Sequence, residues 1–140
     1  MKVSFLSNNL SDKISFLNHA VSARGQLPIL SNLLLEAKNG KLFLSATDLE
    51  IGIQTSIAVN VEKEGKTTVP AKNFSDLFLN LGSQKITLSL EGETLKLTGE
   101  KTKASFQTMS PEDFPKLYEE KGEEFVDIKK NQIEKYLTSG

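Results

Sequence analysis

The sequence has no cysteine and no tryptophan, and its single histidine is His19. Without cysteine there are no disulfides, no thiolate zinc sites and no thiol nucleophile, and one histidine alone removes any His pair for a metal. No metal site and no cofactor are expected. Missing tryptophan also removes the commonest aromatic platform for stacking a sugar. No apolar run approaches the ~20 residues of a membrane helix, so no membrane partner is expected. The opening MKVSFLSNNLSDK lacks a continuous apolar core and a small-residue cleavage site, which points to the cytoplasm rather than to export. A dominant charge sign is missing as well: 17 basic and 18 acidic side chains give a formal net charge of -1. That balance argues against a chain coated with nucleic acid and leaves room only for a local basic site.

What remains is one ordinary domain's worth of chain, 140 residues with 38% hydrophobic and 25% charged side chains. Lys2 to Leu6 alternates, with Val3 and Phe5 on one side, and predicts a short half-buried strand. Leu10, Ile14, Leu17 and Val21 then fall on one stripe of a helix, with Asn8 or Asn9 placed to cap it and Gly25 after its end. Asp12, Ser15 and His19 face away from that stripe.

From Ile29 to about Val69 the pattern is that of strands cut by turns at Asn39-Gly40 and Glu64-Gly65, which predicts an antiparallel meander. Pro70 opens a second helix with Phe74, Leu77, Phe78 and Leu81 on one face and Gly82 as its stop. A hairpin follows, Lys85 to Leu90 and Thr94 to Thr98 around Glu91-Gly92-Glu93. Lys103 to Met109 reads as the last strand, and Pro111 and Pro115 close the unit.

The tail differs. Glu119, Glu120, Glu123 and Glu124 crowd around Lys121-Gly122 as in a solvated linker. After it the opening pattern restarts, because Val126, Ile128, Ile133 and Leu137 repeat Val3, Phe5, Leu10 and Ile14 at a constant offset of 123, and Asn131-Gln132 repeats Asn8-Asn9. The chain is therefore expected to hold one complete unit and the beginning of a second, as part of a longer repeat protein.

Few residues suggest chemistry. Gly65-Lys66-Thr67 resembles the end of a phosphate loop, but Asn60 stands where the first glycine is required and a strand follows, so a hairpin turn is the better reading. Asp48 and Glu50 stand two apart on an apparent strand and could form an acid and base pair or hold a divalent ion. The simpler reading makes them the solvent side of that strand, with Leu49 and Ile51 on the core side. His19 has no evident nucleophile partner. Arg24, the one arginine, sits in Arg24-Gly25-Gln26 past a helix end, where a planar permanent charge on a loop suits a phosphate. Lys72, in the first turn of the second helix, opposes the helix dipole, which fits an anion contact.

Four segments in register, Ala23-Arg24-Gly25-Gln26-Leu27-Pro28-Ile29-Leu30-Ser31-Asn32, Thr47-Asp48-Leu49-Glu50, Thr67-Thr68-Val69-Pro70-Ala71-Lys72 and Asp113-Phe114-Pro115, make the sequence resemble the first domain of the bacterial sliding clamp, the DNA polymerase III beta subunit. The resemblance implies an α+β clamp domain over residues 1–119, an antiparallel sheet layer with two amphipathic helices side by side on one face. Residues 120–140 would be a linker and the incomplete first strand and helix of a second clamp domain. It also implies a homodimeric ring around duplex DNA, a non-enzymatic processivity factor of replication in the cytoplasm, near the nucleoid.

By the same resemblance, Arg24 and Lys72 would contact DNA without sequence preference, with Lys13 and His19 facing the hole. The head-to-tail subunit contact would use Lys103 to Met109 with Phe106 as apolar anchor, and Asn73 and Leu77 of the second helix. Polymerase and clamp loader would bind through later domains absent from this chain. Two other readings stay open: a small antiparallel-sheet module for a carbohydrate or peptide, and a hydrolase built on Asp48, Glu50 and His19.

Overall fold

The computed structural model describes residues 1–21, 28–49 and 51–115, and the backbone of a strand at 124–128. The opening alternation gives strand β1 (Lys2–Leu6), with Val3 fully buried. Helix α1 (Asn8–Leu17) buries Leu10, Ile14 and Leu17, the predicted stripe, and Val21 is half-buried beyond it. Its cap differs from the expectation. Ser7, not Asn8 or Asn9, occupies the N-cap, and its side chain makes no capping hydrogen bond to the helix. The Ser7 hydroxyl instead donates to the Gly82 carbonyl and accepts the Gln84 amide, tying the start of α1 to the segment after the second helix.

Strands β2 (Asn32–Lys38), β3 (Lys41–Thr47) and β4 (Ile51–Ala58) form the expected meander. Asn39 and Gly40, at φ 53 and 74, make the two-residue turn that positive dihedrals require. The meander does not run on to Val69. Strand β5 (Asn60–Lys63) leaves it to pair with β1, and β6 (Gly65–Pro70) returns to pair with β2. Turn residues announce a reversal of the chain but not the strand on which it lands. Gly65 is required by close approach, since a Cβ there would stand 3.1 Å from the Met1 side chain and 3.2 Å from its nitrogen.

Helix α2 (Ala71–Asn80) follows Pro70 and buries Phe74 and Phe78, with Leu77 half-buried. Strands β7 (Lys85–Glu91), β8 (Thr94–Thr98) and β9 (Lys103–Gln107) complete the described domain. The last strand stops before Met109, which makes one isolated bridge to Thr68. Strand β10 (Glu124–Ile128) falls where the tail was read as restarting the strand pattern. It pairs in parallel with β4, whereas β1 pairs antiparallel with both neighbours, so the two segments do not share a sheet environment. The helix expected after it lies outside the described residues, as does the acidic linker.

The single expected layer resolves into two five-stranded sheets, ordered β5-β1-β7-β8-β9 and β10-β4-β3-β2-β6. A second regularity emerges from this order. Strand, helix and three-strand meander occur twice, as β1-α1-β2-β3-β4 and β6-α2-β7-β8-β9. Each half lends its opening strand to the other, β1 to β7 and β6 to β2. Neither sheet can therefore form from one half alone. The helical stripes correspond too, because Leu10, Ile14 and Leu17 recur as Phe74, Phe78 and Leu81 at a constant offset of 64.

One core joins the halves. Phe78 stacks on Phe5 at 6.2 Å and tilts against Phe74 at 4.7 Å, and Phe74 meets Phe106 edge-on at 5.4 Å. The two helical segments touch through the Ser75 hydroxyl, which donates to the Asn18 side-chain oxygen just past α1 at 3.1 Å. No helix among the described residues is long and apolar enough to cross a membrane.

Candidate nucleic-acid interface

Helix α2 turns its apolar face inward and thereby presents Lys72, Asn73 and Asp76 to solvent. The Lys72 side chain is 87% exposed and its ammonium lies 3.8 Å from the Asp76 carboxylate one turn on. Such an exposed i,i+4 pair is weak and screened, so it offsets the unfavourable dipole while leaving the ammonium accessible to a polyanion. Asn73 is exposed and Leu77, four residues later on the same side, is half-buried.

The basic residue of α1 is used differently. Lys13 donates from its ammonium to the Ser56 carbonyl of β4 at 2.7 Å, which directs the side chain to a sheet edge rather than leaving it extended in solvent. His19 is exposed in the short turn after α1, its ring edge-on to Phe16 at 5.6 Å. Arg24 lies outside the described residues.

Strand β9 is the outer strand of its sheet, and its outward backbone can be read from the ladder. The amide of Thr108 bonds to Glu93 and that of Gly99 to Thr102, so the residues bonded to β8 are Ala104 and Phe106. Lys103, Ser105 and Gln107 therefore aim their backbone donors and acceptors away from the sheet. Phe106, expected as an interface anchor, is 6% exposed and packs on Phe74, so it supports the strand from inside while the exposed Lys103 stands at its start. The outward backbone of Ser105 and Gln107 carried no side-chain signal that a sequence reading could find.

The catalytic alternative loses its geometry. Asp48 is not on a strand but in the β3–β4 turn, where its carboxylate accepts the Ile51 amide at 3.0 Å. Leu49 beside it has φ 81 and is 45% exposed, so it is not the core residue that the alternation suggested. Glu50 lies outside the described residues. Among the described residues no group of three or more His, Asp or Glu could hold a metal ion. A cleft of about 370 Å³ lies between the β7–β8 turn and the segment after β9, but its charged lining residues Lys66, Glu93 and Asp113 are all exposed rather than convergent in a buried site.

Residues 1–118 match the family described as DNA polymerase III beta subunit, N-terminal domain. The chain belongs to that family. Among its relatives, the beta sliding clamp of Synechocystis sp. is 34% identical over 126 residues, covering 84% of this chain and 32% of that protein. The beta sliding clamp of Escherichia coli K12 is 34% identical over 119 residues, with the same two coverages. In structure, the DNA polymerase III subunit beta of Pseudomonas aeruginosa superposes with a TM-score of 0.81 at 27% identity, covering 87% of this chain and 34% of that one. The Helicobacter pylori beta clamp, solved bound to a DNA ligase peptide, gives 0.79 at 28% identity over 83% of this chain and 32% of that one. The beta-clamp chain described here thus spans about a third of the length of these relatives.

Proposed function

We propose that this beta-clamp domain is one arc of a ring that encloses duplex DNA and serves as a non-catalytic processivity factor for the replicative polymerase in the bacterial cytoplasm. The observation that carries the reading is the match of residues 1–118 to the first domain of a family whose relatives are beta sliding clamps three times as long. Enclosure needs no strong grip. A ring closed around a duplex stays on it without base contacts, and weak phosphate contacts permit sliding, which suits a chain of net charge -1.

Within this reading Arg24 and the exposed Lys72 make phosphate contacts, with His19 close to the same path. Lys13 contributes only if it leaves the Ser56 carbonyl. Residues 120–140 lead into a second clamp domain, and Lys103, Asn73 and Leu77 form the face toward another protomer, head to tail, with the buried Phe106 supporting that face from inside. The Helicobacter pylori relative bound to a DNA ligase peptide supports peptide-mediated client binding by a complete clamp, and in this reading polymerase and clamp loader engage parts of it beyond this chain.

A chimera tests the proposal. Residues 1–118 replace the first domain of the Escherichia coli beta sliding clamp, and the protein is loaded onto nicked circular duplex DNA. It should co-elute with the circle and be lost when the circle is cut. A chimera that forms a folded dimer yet leaves circular and linear DNA equally fast defeats the reading.

A further inference from the structure

The exposed faces of the two helices are poor in cations. Helix α1 presents Asn8, Asn9, Asp12 and Ser15 to solvent, while its half-buried Lys13 is drawn to the Ser56 carbonyl. Helix α2 presents Lys72, Asn73 and Asp76. The exposed formal charges are therefore two carboxylates, Asp12 and Asp76, against the one ammonium of Lys72.

The two carboxylates hold the same place in the two halves of the fold. Asp12 and Asp76 are separated by 64 residues, the offset that also relates Leu10, Ile14 and Leu17 to Phe74, Phe78 and Leu81. Helix stability explains neither of them. Aspartate is among the weaker helix formers, and neither helix has an acidic residue in its first turn, where the dipole favours one. Asp12 has no ion-pair partner among the described residues. Asp76 pairs with Lys72 at 3.8 Å, but with the cation first, the order that supports a helix less well.

We propose that Asp12 and Asp76 form a repulsive spacer that keeps the phosphates of an enclosed duplex off the helices, with Asp76 also competing for the Lys72 ammonium. The inference rests on the enclosing-ring reading and names how its DNA contact is limited. A phosphate that reaches Lys72 must share the ammonium with a carboxylate one turn on and approach a like charge closely enough that salt does not screen it. Asp12 contributes repulsion alone. Every phosphate contact has to break as a ring advances along the duplex, so a contact withheld is friction removed. A closed ring loses nothing by this, because enclosure rather than affinity retains it.

The first measurement uses the full 140-residue chain and a short duplex, by fluorescence anisotropy across a salt series. Asp12→Asn combined with Asp76→Asn should bind about three- to tenfold more tightly than the unmodified chain at about 50 mM salt, and its affinity should fall more steeply as salt rises. Asp12→Glu with Asp76→Glu keeps both charges and should bind as the unmodified chain does. Glu100→Gln with Glu112→Gln removes two charges from exposed positions outside the helices and should have a smaller effect. Adding Lys72→Gln to D12N/D76N should abolish most of the gain. Equal affinity of D12N/D76N and the unmodified chain, absence of binding by both included, overturns the proposal. So does an equal gain from either of the other two pairs, and a gain that survives Lys72→Gln removes the competition assigned to Asp76.

In the chimera the same substitutions separate this inference from the ring itself. D12N/D76N should leave retention on circular DNA unchanged and slow one-dimensional diffusion along stretched duplex severalfold. Equally fast loss from circular and linear DNA defeats the ring, whereas a retained ring that diffuses at the unmodified rate defeats the spacer alone.

Discussion

The ring of Phe74 meets that of Phe106 edge-on with centroids 5.4 Å apart, so helix α2 rests directly on the outer strand of its sheet. The contact links the helix that presents Lys72 with the strand that is outermost in its sheet among the described residues. The pair thus couples the helix proposed to face nucleic acid to the strand proposed to face a second protomer.

Phe106→Ala removes one ring of this pair from a site that is 6% exposed. The expected loss of unfolding free energy is about 3–5 kcal/mol, in the range for large aromatic deletions in cores. Chemical denaturation followed by circular dichroism measures it. A loss below about 1 kcal/mol would place Phe106 outside the core.

Thr68 ties strands β2 and β6 to the segment after β9 through one hydroxyl, which accepts the Asn32 amide at 3.0 Å and donates to the Met109 carbonyl at 3.0 Å. Thr68→Val keeps the shape and strands both partners, with Asn32 buried at 4% exposure. The expected cost is about 1–3 kcal/mol, and exchange of the Met109 amide should quicken more than that of strands β2 and β3. Uniform quickening would show that Thr68 does not hold the segment after β9.

Leu49 holds φ 81 at 45% exposure, a left-handed conformation that costs a non-glycine residue roughly 1–2 kcal/mol. Leu49→Gly relieves that cost and adds about 0.5–1 kcal/mol of chain entropy loss on folding. The net expectation is unchanged or slightly raised stability, where a leucine deletion in the core would cost several times more. A thermal melt separates the two outcomes.

The Met1 ammonium has its pKa lowered from the ordinary 8.0, chiefly by burial and further by the Lys63 charge. The unfolded chain therefore binds more protons than the folded one between the lowered value and 8.0, and stability rises with pH across that window. The contribution is present above 8.0 and is lost as pH falls through the lowered value. Urea midpoints at a series of pH values, with and without N-terminal acetylation, check the sign, because acetylation should remove this component of the slope.

Much of the local structure was legible because local rules governed it. The 3.6-residue stripes at Leu10, Ile14, Leu17 and at Phe74, Phe78 fixed both helices, and Asn39-Gly40 fixed its turn through the positive dihedrals that only such residues take readily. The family resemblance was likewise carried by short segments whose order and spacing survive in a linear text. Charge balance and the missing cysteines excluded whole classes of chemistry without any fold at all.

Partner choice belonged to the tertiary structure. Nothing local says that β5 goes to β1, that β6 returns to β2, or that β10 lies along β4, because a strand's own alternation specifies its faces and not its neighbour. The same limit governed single residues. Ser7 gave its hydroxyl to Gly82 and Gln84, Lys13 reached the Ser56 carbonyl, and Asp48 closed a turn, each drawn to a backbone group distant in sequence or freed by a bend. Periodicity determined which side chains would seek burial; only the closed core, in which unpaired backbone groups must find partners, determined what each polar group would touch.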